Sequence, residues 1–253
     1  MSPIRAVVLD TDGVLLDSAA LHAAAWKSAF DGCLDAWAAA RTAHAAQPPF
    51  DAEREYRELV DGKPRLDGAI AFLTARGIEL PPGSAGDPPG CGTAWAVAAR
   101  KEHAFMEALR AGSVEAFAEV RPALEALRAR GMRCAAVSAS RHARPLLEST
   151  AIAPLIDVLV DGTDAGRLAL AGKPDPALFL EAVRRLHVDP ADAVMVEDAL
   201  VGVEAGRRGH FGLVIGLDRS GGTSAAPALR ARGADVVLPD LTAVVDTVAG
   251  ERP

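Results

Sequence analysis

Nothing in this 253-residue chain concentrates positive charge: 27 Lys and Arg stand against 34 Asp and Glu, for a net charge of −7. A nucleic-acid binder needs a cationic face, so that class is excluded. No apolar run reaches the length of a membrane span, so no membrane association is expected. Cysteine is scarce. Cys33, Cys91 and Cys134 are odd in number, far apart and without a CxxC pair, which predicts unpaired thiols rather than a disulfide framework or a zinc site. The N-terminus leads into its first apolar stretch without a signal-peptide pattern, so a cytoplasmic location is expected. GxSxG, HExxH and GxxxxGK[ST] are all missing, and six histidines are scattered without ligand spacing.

What the chain does have begins near its start. Ile4 to Leu9 is a nearly continuous apolar run, as in a strand buried on both faces of a parallel sheet. It ends in Asp10-Thr11-Asp12-Gly13. Two carboxylates at the end of a buried strand repel each other and lose solvation unless a cation or substrate compensates them. Residues 31–118 lack strand-helix alternation, are rich in alanine and carry Trp37 and Trp95; Trp26 lies just ahead of them. They read as a helical insertion, preceded by a helix over Ser18 to Phe30 with Ser18 as its cap. From Val120 onward, strands alternate with helices, which predicts a parallel sheet covered on both faces. Strands are expected at 134–137, 158–160, 193–196, 213–215 and 236–238, with a loop leading from the second of these to Gly172-Lys173-Pro174.

Three of the predicted strands end in polar groups suited to phosphate chemistry: Asp10/Asp12, Ser138/Ser140 and Glu197/Asp198. Lys173 follows a fourth. In an open α/β sheet these ends share one crevice. Three carboxylates there call for a divalent cation, and an all-oxygen set suits Mg²⁺. A lysine and a hydroxyl beside that cation form a phosphate cradle. The residues therefore predict metal-dependent phosphoryl transfer.

The motifs carry a family likeness. Asp10-Thr11-Asp12-Gly13-Val14-Leu15 running on to Asp17-Ser18, then Ser138, Lys173 in Gly-Lys-Pro-Asp-Pro, and Glu197-Asp198 resemble the four motifs of haloacid dehalogenase superfamily phosphohydrolases. The likeness is to the β-phosphoglucomutase-like subgroup. It implies an α/β fold, a doubly wound Rossmann-like parallel-sheet core (1–17 and 119–253) with an inserted α-helical cap (18–118). It further implies Asp10 as nucleophile, Asp12 as general acid and base, and Lys173 and Ser138 as phosphate-binding catalytic residues. Mg²⁺ would be held by Asp10, the Asp12 carbonyl and Asp198, with Glu197 in support. His22, Trp26, Gly62, Arg65 and Lys101 in the cap, and Ser138, Ala139 and Ser140 in the core, are the implied substrate-binding positions. Asp61 departs from the subgroup's lysine, and the cap is longer around 40–55 and 81–95. The expected substrate is a small phosphorylated sugar or polyol, and the expected state a monomer. Asp61 and the longer cap favour a phosphatase; the alternatives are a phosphohexomutase interconverting β-glucose 1-phosphate and glucose 6-phosphate or, least favoured, a non-catalytic binding domain. The dehalogenase branch is excluded because it lacks the counterpart of Asp12.

Overall fold

The computed structural model describes residues 4–40, 47–112, 114–219 and 225–250. These form two compact units, Met1–Asp17 with Glu115–Pro253, and Ser18–Val114. In chain order the elements are β1 (Ala6–Asp10), α1 (Ala19–Ala39), a wide helical turn (Tyr56–Val60), α2 (Arg65–Ala75), α3 (Ala94–Ala111), α4 (Val120–Ala129), β2 (Arg133–Val137), α5 (Ala143–Ser149), β3 (Val158–Val160), α6 (Gly162–Leu168), α7 (Ala177–Leu186), β4 (Ala193–Glu197), α8 (Leu200–Arg208), β5 (Leu213–Leu217), α9 (Ala226–Ala231), β6 (Val236–Leu238) and α10 (Leu241–Val248).

In the first unit the described strands form one sheet in the order β3-β2-β1-β4-β5-β6, every pairing parallel. This is the doubly wound α/β arrangement. The chain builds outward from β1 to β3, then crosses back to place β4 on the other side of β1. Ligands of such sheets sit at the carboxyl ends of the strands flanking that reversal. All five residues of β1 are buried, which explains its unbroken apolar sequence. Helices cover the faces with apolar stripes; α4 buries Val120, Ala123, Leu124 and Leu127 at helical spacing.

The second unit packs α1, α2 and α3 around a core in which Trp26, Phe30, Trp37, Phe50 and Phe72 are set among aliphatic side chains. Phe30 stacks on Phe72 at 3.8 Å between ring centroids and on Trp26 at 4.8 Å. The chain's few aromatics are thus spent where a small helical unit needs area and shape, each such pair adding about 0.5–1.5 kcal/mol beyond burial.

Several expectations need correction. Cys33 and Cys91 are joined as a disulfide, with Cα atoms 5.3 Å apart, so two of the three cysteines are not free thiols; Cys134 is buried and unpaired. The loop before α3 folds back over α1, where Trp37 Nε1 donates to the Cys91 carbonyl at 3.1 Å. A separation of 58 residues leaves no local spacing from which to read such a pair. Helix α6 occupies the stretch expected to be loop. Its seven residues carry two glycines and no apolar period, and its start is set by Asp161, whose side chain accepts from the amides of Thr163 and Asp164. Ser18 precedes α1 without a side-chain capping bond, and that helix runs to Ala39 rather than ending at Phe30. Residues 41–46 of the expected enlargement lie outside the described residues. No helix among the described residues is long and apolar enough to cross a membrane.

Candidate active site

The sheet register places the first unit's chemistry. Asp10 is level with Val137, the last residue of β2, and lies one step past the Leu9–Val196 pair, beside Glu197. Ser138 follows β2 directly, and Thr11 Oγ1 donates to the Val137 carbonyl at 2.9 Å, locking the two strand ends together.

Lys173 is the hub. Its Nζ donates to Asp10 Oδ1 and, at 2.7 Å, to Glu197 Oε2. All three are buried: Asp10 and Lys173 are 3% exposed and Glu197 0%. Burial alone would depress the Lys173 ammonium, but the flanking Asp10 and Glu197 carboxylates outweigh it and push it above its ordinary range. Burial, then Glu197, push the Asp10 carboxyl well up, against the pull of Lys173. One lysine does not balance the acids here. Oxygen atoms of Asp10, Glu197 and Asp198 all lie within 4.8 Å of one another. Such an all-oxygen cluster with surplus negative charge fits a hard divalent cation such as Mg²⁺.

Asp12 stands apart from that cluster. Its amide donates to Asp10 Oδ2 at 3.1 Å, while its carboxylate oxygen Oδ2 accepts from Ser138 Oγ, also at 3.1 Å. The Ser140 amide donates to Ser138 Oγ at 3.0 Å, so the Ser138-Ala139-Ser140 turn is wrapped around that hydroxyl. Asp10, Asp12, Ser138, Lys173, Glu197 and Asp198 thus gather at one edge of the sheet. Two glycines make room for the acids, a role that sequence reasoning missed. A Cβ on Gly13, which has φ +78°, would lie 1.9 Å from Asp198 Oδ2, and one on Gly202 would lie 1.9 Å from Glu197 Oε2. Gly13 directly follows Asp12, which hints at its role, whereas Gly202 stands between Val201 and Val203 with no local signal.

The cap candidates form their own group in the second unit. Lys101 Nζ lies 2.9 Å from His22 Nδ1, 4.5 Å from the Phe105 ring centroid and 5.7 Å from that of Trp26. His22 stacks on Phe105 at 4.3 Å, and His22, Trp26 and Lys101 are all buried. A buried ammonium is tolerated there because one imidazole nitrogen and two aromatic faces receive it. Arg65, at the start of α2, pairs with Glu102 Oε2 at 3.0 Å. Gly62 sits in the turn before it, with φ +69°.

Known proteins resemble the chain along most of its length. Residues 4–210 match the haloacid dehalogenase-like hydrolase family. A protein of Mycobacterium bovis named β-phosphoglucomutase is 42% identical over 238 residues, spanning 94% of this chain and 90% of the relative. A phosphorylated carbohydrates phosphatase of Thermotoga maritima is 26% identical over 219 residues, 86% of this chain and 87% of its own. Among solved structures, a hydrolase of the same family from Deinococcus radiodurans, with bound phosphate and sodium, superposes with a TM-score of 0.67 at 26% identity, covering 99% of this chain and 97% of that one. The family match runs from β1 through β4 and takes in the insertion between β1 and β2, and this chain belongs to the haloacid dehalogenase-like hydrolases, as a phosphoryl-transfer enzyme of their β-phosphoglucomutase-like branch.

Proposed function

We propose that the protein is a sugar-phosphate mutase of the β-phosphoglucomutase kind, working through a phosphorylated Asp10. The observation that carries the chemistry is the Lys173 bridge between Asp10 and Glu197. It holds Asp10 Oδ1 in place and puts a buried positive charge where a phosphoryl group would arrive. Asp10 attacks phosphorus and the bond from phosphorus to the sugar oxygen breaks. Asp12, poised beside Ser138, gives that oxygen its proton. In the return step Asp12 takes the proton from an acceptor hydroxyl, whose oxygen attacks phosphorus and releases Asp10. Asp10 and Asp198, with the Asp12 carbonyl and Glu197 in support, would hold Mg²⁺, which supplies charge neutralisation of the transferring group. Ser138 and the Ser140 amide would receive phosphate oxygens.

The acceptor decides between mutase and phosphatase. The sequence alone favoured water, on Asp61 and the longer cap. The 42% relative, similar from end to end, tips the reading toward a second sugar hydroxyl. One observation favours the phosphatase: Glu102 occupies Arg65, the cation that the subgroup directs at a second phosphate. Incubation with β-glucose 1-phosphate and a trace of the 1,6-bisphosphate separates the two. Glucose 6-phosphate accumulating without free phosphate is the expected result. Inorganic phosphate released in step with free sugar would replace the mutase reading with the phosphatase. Asp10→Asn must stop either outcome.

A further inference from the structure

Arg219, just beyond β5 and outside the residues that match the family, holds the loop that carries Asp12. Its Nε–H donates to the Gly13 carbonyl at 3.0 Å and its Nη2 to the Val14 carbonyl at 2.9 Å. Its third nitrogen, Nη1, lies 2.6 Å from Glu119 Oε1, and its flat face covers Phe117 with Cζ 3.8 Å from the ring centroid. Gly13 and Val14 are the two residues directly after Asp12. The loop they belong to is wound tightly: Gly13 N donates to the Leu16 carbonyl, and the amides of Leu15 and Leu16 both donate to the Thr11 carbonyl. Arg219 closes that coil from outside and ties it to the returning chain at 117–119.

We infer that Arg219 is a positioning residue for Asp12: by fixing two consecutive carbonyls against Phe117 and Glu119, it sets the aim of the acid that serves the leaving oxygen. This rests on the acid role given to Asp12 above. The chemistry needs arginine. A planar fork delivers separate N–H groups to adjacent carbonyls and still presents a third edge to a carboxylate and a face to a ring, whereas a lysine ammonium is a point donor on a flexible stem.

Two generic esters test this without knowledge of the natural sugar. p-Nitrophenolate leaves as a stable anion and asks little of an acid; phenolate is a poorer leaving group and asks more. We expect Arg219→Ala to lower kcat/KM, which reads only the step in which the phenolate leaves and not the return step that both esters share, on phenyl phosphate by on the order of tenfold to a hundredfold, part of the range that general acids supply, with kcat/KM on p-nitrophenyl phosphate within about threefold of wild type. Arg219→Lys should follow the alanine variant, and it carries the same comparison if the alanine variant does not fold. In an Asp12→Ala background, Arg219→Ala should cost no more than about twofold further, because the group it positions is gone. Equal losses on both esters, or an undiminished loss in the Asp12→Ala background, would overturn the inference. Full activity of Asp12→Ala on phenyl phosphate would remove the acid role itself and this inference with it.

Discussion

Lys173 has two buried acids to itself, and that asymmetry separates the single-residue variants of the site. Asp10→Asn removes a carboxylate that burial and Glu197 already disfavour. It should cut turnover by roughly a thousandfold or more, as loss of a nucleophile does, while the thermal midpoint holds or rises. Lys173→Met removes the ammonium that bridges Asp10 and Glu197 and leaves two buried carboxylates facing each other. With a chelator present it should cost about 3–5 kcal/mol, the usual penalty for orphaning a buried charge, read by denaturant unfolding. Equal stability of the two variants would show that Lys173 does not hold this site together. Gly202→Ala inverts an ordinary rule. In a helix interior alanine is worth about 1 kcal/mol over glycine, yet here its Cβ would meet the Glu197 carboxylate and push it off Lys173. Lost activity without gained stability is the expected pair of results from kinetics and unfolding. The acids, lysine and serine were legible in the sequence because chemistry fixes their residue types. Spacers such as Gly202 were not, because glycine has many other uses.

Helices α6 and α7 show how an element can be stable without showing in a pattern. Arg185 of α7 pairs with Asp164 of α6 and with Glu181 of its own helix, while Arg184 and Arg167 take the remaining oxygens. Hydrogen bonds from Arg185 pull the Asp164 carboxyl down to about 2, and those from Arg184 do the same for Glu181. An acid whose folded value lies below its unfolded one, near 4, stabilises fully above about pH 4 and loses that contribution as pH falls toward 2. Thermal midpoints should therefore fall over that window, and Arg185→Gln should flatten the dependence; an unchanged slope would refute the network's part in it. The disulfide belongs to the same class of feature. Cys33 and Cys91 meet only because the 81–93 segment doubles back over α1, a contact that no local period encodes. Opening a closure of 58 residues by Cys91→Ser should cost about 2–4 kcal/mol, read as an earlier thermal transition that reducing agent no longer shifts. β1, expected from the apolar run Ile4 to Leu9, was legible to within two residues of its Ala6–Asp10 span; α6 and the cystine depend on partners far along the chain.

The chain order itself makes the last test possible. Every strand of the described sheet belongs to the unit Met1–Asp17 with Glu115–Pro253, and the alternation from Val120 onward announced it. The insertion left a weaker mark, a lapse in alternation over a hundred residues whose own core sets scattered aromatics among aliphatic side chains. Its two crossings lie side by side: Asp17 N donates to the Glu115 carbonyl at 2.9 Å, and Leu16 bridges Ala116. Chain ends that meet this closely let an insertion be excised with a short connection and little closure entropy. Joining Asp17 to Glu115 through a few Gly and Ser residues should leave a protein that folds cooperatively, with the circular dichroism of an α/β sheet. The site residues Asp10, Asp12, Ser138, Lys173, Glu197 and Asp198 all remain in it, so slow hydrolysis of p-nitrophenyl phosphate should survive. On the reading that gives His22, Arg65 and Lys101 to the substrate, discrimination among sugar phosphates should vanish with the insertion. A shortened chain that stays unfolded would show that the sheet depends on the helical unit for stability. One that still selects its sugar would place specificity in the core and not in the cap.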